Sequence, residues 1–70
     1  MFDYDDVIKA SEKGGYLNTN GIRYDLDGKG MADYLRSIGF EVIQHYDTGR
    51  NGIVILKNGI KVSTNGYCHK

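Results

Sequence analysis

Two histidines, His45 and His69, and one cysteine, Cys68, are the side chains here best suited to nucleophilic or acid–base work. Cys68 and His69 are adjacent, and neighbours along a strand point to opposite sides, so they make no nucleophile–base pair. His45 lies in a β-rich run, where a lone histidine is more often a surface or hydrogen-bonded residue than a catalyst. No Ser-His-Asp set can be drawn from spacing, and no pair of carboxylates stands out for general acid–base work. One cysteine and two histidines do not give the spacing of a zinc site, and Cys68 has no second cysteine to bridge. The expectation is a chain without catalytic residue, metal or cofactor.

Two further motifs invite chemistry. Counting from Asp25, oxygen ligands fall at positions 1, 3 and 9 (Asp25, Asp27, Asp33) with Gly30 at position 6, as in a calcium loop. Positions 5 and 12 are Lys29 and Arg36, however, so cations stand where two carboxylates are needed. The plainer reading is that Asp27 caps a helix and the glycines shape a turn. Gly28-Lys29-Gly30 before a helix also suggests an anion loop. It lacks the third glycine of the dinucleotide fingerprint and the Gly-Lys-Ser/Thr of the ATP loop, and the flanking aspartates would repel phosphate.

The elements that must position these residues can be read from periodicity. Tyr4, Val7 and Ile8 behind Asp3 predict a helix over 3–13, stopped by Gly14-Gly15. Ile22, Tyr24 and Leu26 alternate with charged residues and predict a strand over 22–26, with a shorter one near 16–18. Met31, Tyr34, Leu35 and Ile38 share a helical face, ending at Gly39-Phe40. Three strand candidates follow. Phe40, Val42, Gln44 and Tyr46 share one face of the first, and 53–57 and 60–64 flank Asn58-Gly59. A two-residue type I′ turn at Asn58-Gly59 would pair Ile55 with Val62. That register puts Ile53, Ile55, Ile60 and Val62 in the core, and Val54, Leu56, Lys61 and Ser63 on the other face. The expected fold is α+β: two short helices packed on a small antiparallel sheet, in the order α-β(β)-α-β-β-β with a C-terminal three-stranded meander. Residues 1–70 are expected to form a single domain.

Seventy residues leave little room to hollow out a cofactor cavity. An acidic N-terminus and the lack of disulfides and long apolar runs predict a cytoplasmic chain with no membrane partner. Formal charge is zero, yet residues 1–33 carry seven acids and four bases whereas residues 34–70 carry two acids and five bases. Such a split shapes partners rather than fold.

Leu35-Arg36-Ser37-Ile38-Gly39-Phe40 leading into strands, and Asp6-Val7-Ile8-Lys9 through Gly15-Tyr16, resemble segments of the HicA-type toxin ribonucleases and of the double-stranded RNA-binding fold. The Gly-Ser-His strand motif of HicA is absent; Thr48-Gly49-Arg50 stands where the likeness would want it, so no catalytic residue carries over.

Six tyrosines are the most notable remaining feature. Tyr4, Tyr24 and Tyr34 belong to apolar faces, while Tyr16, Tyr46 and Tyr67 have no such assignment. Tyrosine serves protein interfaces well, and equally serves as filler in a core without tryptophan. The functional expectation is a small non-enzymatic protein-binding module. In its sharpest form it is a phage or mobile-element accessory protein that inhibits a host or defence enzyme, as anti-CRISPR proteins do. The expected contact residues are Tyr46, Arg50, Asn51, Val54, Leu56, Lys61 and Tyr67, with a second copy of the chain as another partner. The alternative is a nucleic-acid-binding domain using Arg36, Arg50, Lys57, Lys61 and Lys70.

Overall fold

The computed structural model describes residues 2–17, 26–48 and 51–70, the side chain of Thr48 excepted. The first helix, α1, spans Tyr4–Lys13. Asp3 caps it reciprocally: the Asp6 amide donates to Asp3 Oδ1 at 3.0 Å, and the Asp3 amide donates to Asp6 Oδ2 at 3.0 Å. Asp5 and Asp6 face the positive end of the helix dipole and Lys13 the negative end. One face buries Val7 and Ser11, and the Ser11 hydroxyl donates to the Ile8 carbonyl at 2.9 Å.

The second helix, α2, spans Gly28–Ser37 and buries Met31, Ala32 and Leu35. Asp27 is its cap, accepting from the Gly30 amide at 2.7 Å. At the far end the Phe40 amide reaches the Leu35 carbonyl at 3.0 Å and the Gly39 amide the Arg36 carbonyl at 3.2 Å, a Schellman stop around Gly39.

Five strands form one antiparallel sheet: β1 (Gly15–Tyr16), β2 (Val42–Thr48), β3 (Asn51–Leu56), β4 (Lys61–Ser63) and β5 (Tyr67–His69). Their order in space is β1-β5-β4-β3-β2. The C-terminal meander therefore gains β5, to which β1 adds at the far edge. Packing of α1 on β5 and β1, and of α2 on β2 and β3, completes the α+β architecture of two helices on an antiparallel sheet. Of the expected strand at 22–26, residues 22–25 and Tyr24 lie outside the described residues, and Leu26 is a half-buried residue just ahead of Asp27.

Two corrections concern which side chains face the helices. The hairpin at Asn58-Gly59 has a three-residue loop, because the Leu56 amide donates to the Ile60 carbonyl at 2.8 Å and the Gly59 amide to the Leu56 carbonyl at 3.0 Å. Gly59, at φ 94°, takes the left-handed position that ends such a loop. The extra residue shifts the register by one, so Val54 pairs with Val62 and Ile55 with Lys61. A one-residue shift exchanges the two faces of a strand. Val54 and Leu56 are thus core residues, 0% and 1% exposed, while Ile53 is 39% exposed and Ile55 half-buried. Ile60 and Val62 are buried as expected.

The second correction lies in β2. Its pairing with β3 runs Val42↔Leu56 and then Gln44↔Ile55, so Ile43 is an extra residue in a bulge. Beyond the bulge, His45 and Asp47 fall on the helix side with Val54, while Gln44 and Tyr46 fall on the other side with Ile55 and Ile53. Val42 and Tyr46 therefore do not share a face.

Candidate functional site

The helices cover one face of the sheet. On the other, the register brings Tyr16, Tyr67, Ser63, Ile53 and Tyr46 into a row across the five strands. Beside this row lie His69, Lys61, Ile55 and Gln44. Tyr16, Tyr46 and Tyr67 remain 49%, 45% and 36% exposed. The three tyrosines without a place in the periodicity thus share one surface. By contrast Tyr34 donates its hydroxyl to the Phe2 carbonyl, and Tyr4 stacks on Phe40 at 4.3 Å.

The β5 end of this surface is a shallow recess of about 300 Å³, lined by Tyr16, Ile53, Lys61, Ser63, Asn65, Tyr67 and His69. Its aromatic wall is ordered by contact: Tyr16 meets Tyr67 edge-on at 5.1 Å, and Tyr67 lies 5.6 Å from the His69 ring. The β4–β5 turn supports it, with the Tyr67 amide donating to Asn65 Oδ1 at 3.1 Å and the Leu17 amide to the Gly66 carbonyl at 2.8 Å. The recess offers apolar and aromatic area, hydroxyl and amide groups, and one ammonium.

Charge is segregated about the sheet. Among the described residues, no carboxylate lines the recess. Asp3, Asp5, Asp6 and Glu12 belong to α1 or its cap, Asp27 and Asp33 to α2 or its cap. Asp47, on the helix side, accepts the Gly28 amide at 2.5 Å. Glu41 pairs with Lys57 at 3.0 Å. Lys61, in the recess, has no carboxylate within ion-pair distance among the described residues. Arg36 pairs with Asp33 at 3.1 Å on α2, as does Lys29. These two cations hold the Asp33 carboxyl below its ordinary range.

Of the expected contact residues, Tyr46, Lys61 and Tyr67 lie on this face, and Asn51 is exposed at the start of β3. Val54 and Leu56 are excluded by burial, and Arg50 lies outside the described residues. Tyr16, Ile53, Asn65 and His69 were not expected there. The unassigned Tyr16 was the one sequence signal for them.

The chemistry-bearing residues are held apart. Cys68 is buried on the helix side, where its thiol approaches the Gly66 carbonyl at 3.6 Å and burial pushes its pKa up to about 12. A thiol so held is a poor nucleophile. In the calcium-like stretch, Asp27 spends its carboxylate on the α2 cap and Asp33 on two ion pairs. Gly28 is not free to cradle phosphate: a β-carbon there would overlap the Tyr46 carbonyl oxygen, and its amide already serves Asp47. Among the described residues, no three His, Cys, Asp or Glu side chains are grouped to hold a metal, and no helix is long and apolar enough to cross a membrane.

No family model, curated protein or solved structure matches the chain. No match extends the segmental likeness to HicA-type ribonucleases.

Proposed function

We propose that the chain is a protein-docking module whose contact surface is the uncovered sheet face. The observation that carries this reading is that Tyr16, Tyr46, Tyr67 and Ile53 stand exposed in one row on a rigid sheet with no carboxylate among them. Aromatic area with a polar tip and sparse charge is the make-up of interface centres. Soluble monomers seldom leave a contiguous apolar patch uncovered without a use for it. Lys61, with no carboxylate in ion-pair distance among the described residues, suits an acidic group at the rim of the partner's apolar surface. Occlusion of an enzyme's working surface is one way such docking would inhibit a host or defence enzyme.

The nucleic-acid reading has less support. Arg36 is engaged by Asp33 on α2 and Lys57 by Glu41, leaving Lys61 as the lysine of the recess. Affinity for a phosphate backbone grows with the number of phosphates neutralised. Aromatic stacking on Tyr16 or Tyr67 would have to supply the rest.

The test is affinity capture from the native cell with the wild type, I53D and K61E, each treated with nuclease. Proteins retained by the wild type after nuclease, and lost with I53D, support docking through this face. Equal capture by all three chains, or nuclease-sensitive capture with saturable binding to an oligo(dT) strand, would overturn it.

A further inference from the structure

The sheet has one long free edge among the described residues, β2, and its backbone polarity can be assigned. The Gly52 amide donates to Thr64 Oγ1 at 2.9 Å, and its carbonyl accepts the Thr64 amide at 2.9 Å. Gly52 thus spends both backbone groups on the β4 side. In an antiparallel ladder, the residue opposite such a position also points its N–H and C=O away from the shared ladder. That residue is Asp47, and by period two His45 is the same. Both point their donors and acceptors outward, where no strand among the described residues meets them. A row of this kind is a template for another strand unless charge, proline or irregularity guards it. Residues 42–48 contain neither lysine nor proline, and the guards present are the bulge at Ile43 and the single carboxylate of Asp47. Past the bulge, Gln44–Thr48 is a straight run of five residues whose centre is Tyr46.

We propose that β2 pairs with β2 of a second copy, antiparallel, about a two-fold axis at Tyr46. The side chains favour this register over its neighbours. With the axis at Tyr46, His45 lies opposite Asp47 of the second copy and Asp47 opposite His45 of the second copy, so imidazole meets carboxylate twice on the helix side. The same two positions carry the outward backbone groups, which close as two doubly hydrogen-bonded pairs. On the other face, Tyr46 meets Tyr46 of the second copy, an aromatic cross-strand pair. An axis at His45 would instead set histidine against histidine and Ile43, in the bulge, against Asp47. The two-fold is isologous and closes, so the product is a dimer with one continuous sheet rather than a fibre. This pairing rests on the backbone edge of β2 and not on docking at the sheet face, with which it shares Tyr46 alone.

The test is sedimentation mass against concentration, up to about 1 mM because an edge of five residues gives weak association. Wild type should rise from the monomer mass of 7.8 kDa toward twice that value. H45P removes an outward N–H that β3 does not use, and should stay monomeric. H45E sets carboxylate against carboxylate twice and should raise the dimer dissociation constant about tenfold. H45K sets an ammonium against the carboxylate of Asp47 and should dimerise at least as well as the wild type does. Should H45P fail to fold by circular dichroism, the H45E and H45K pair decides the question. A wild type that stays at monomer mass overturns the proposal, as does a dimer that H45E leaves unweakened.

Discussion

The Leu56 amide donates to the Ile60 carbonyl at 2.8 Å, closing a hairpin loop of Lys57, Asn58 and Gly59. This bond decides which half of the meander is core. With Gly59 as a third loop residue, Val54 and Leu56 turn toward the helices and Ile53 turns away.

Gly59 makes that loop possible, and a side chain there tests it. At φ 94° an L-residue is strained, yet a β-carbon at Gly59 would meet nothing within 4 Å. The cost of G59A is therefore conformational, about 1–2 kcal/mol. For a domain of this size each kcal/mol lowers Tm by roughly 4–8 °C. A thermal melt should show a fall of that order. A melt equal to wild type would mean that Gly59 does not need its left-handed conformation.

The exchange of faces makes a paired prediction. L56A removes a fully buried side chain and should cost about 2–5 kcal/mol in urea unfolding. I53S alters a side chain that is already exposed, and surface changes usually stay within about 0.5 kcal/mol. The two-residue-turn register predicts the opposite ranking, so one pair of unfolding curves separates them.

Both helices were legible because their signals are local. Asp3 and Gly14, and Asp27 and Gly39, bracket periodic apolar faces, and the caps stand where those residues place them. The strands were legible as strands, but their faces were not. Asn58-Gly59 fits a two-residue turn and a three-residue loop equally well in sequence, and only the Leu56–Ile60 bond chooses. The bulge at Ile43 has no glycine to mark it, so period two carried His45 and Tyr46 to the wrong sides. Each error is one residue, and in a strand one residue is the whole difference between core and surface. Three of the expected contact residues nevertheless lie on the uncovered face: Tyr46 and Tyr67, and Lys61, because the faces of β4 are the same in either register, with Ile60 and Val62 buried. Val54 and Leu56 were chosen on register and failed with it.

Two aspartates share the start of α2. Asp27 accepts the Gly30 amide at 2.7 Å, and Asp47, reaching across from β2, accepts the Gly28 amide at 2.5 Å. Each satisfies an amide that the helix itself leaves unpaired, with negative charge at the positive end of its dipole. D27A should cost about 1 kcal/mol. D47A should cost about 1.5–3 kcal/mol, the usual worth of a bond to a charged group. It should also loosen the contact of α2 with the sheet, where a β-carbon on Gly52 would come within 2.7 Å of the Gly28 α-carbon. Amide exchange at Gly28 and Gly30 reads the two caps separately. Equal loss of protection at both sites in D27A and D47A would mean that the caps act as a unit.

Cys68 carries a pH prediction whose sign follows from burial. Its folded pKa is pushed up to about 12 from an ordinary 9.0, so the folded chain keeps a proton that the unfolded chain releases. This preference costs nothing below pH 9, where both states are protonated. Above pH 9 the unfolded state ionises first, and stability falls by about 1.4 kcal/mol per pH unit until the folded thiol titrates. A C68A chain lacks that slope, so wild type minus C68A in urea unfolding between pH 8 and 11 should isolate it. The same burial should keep a thiol reagent from the native chain at pH 8, with labelling appearing only as urea unfolds it. Rapid labelling without denaturant would show that β5 opens on its own, taking with it the wall formed by Tyr67 and His69.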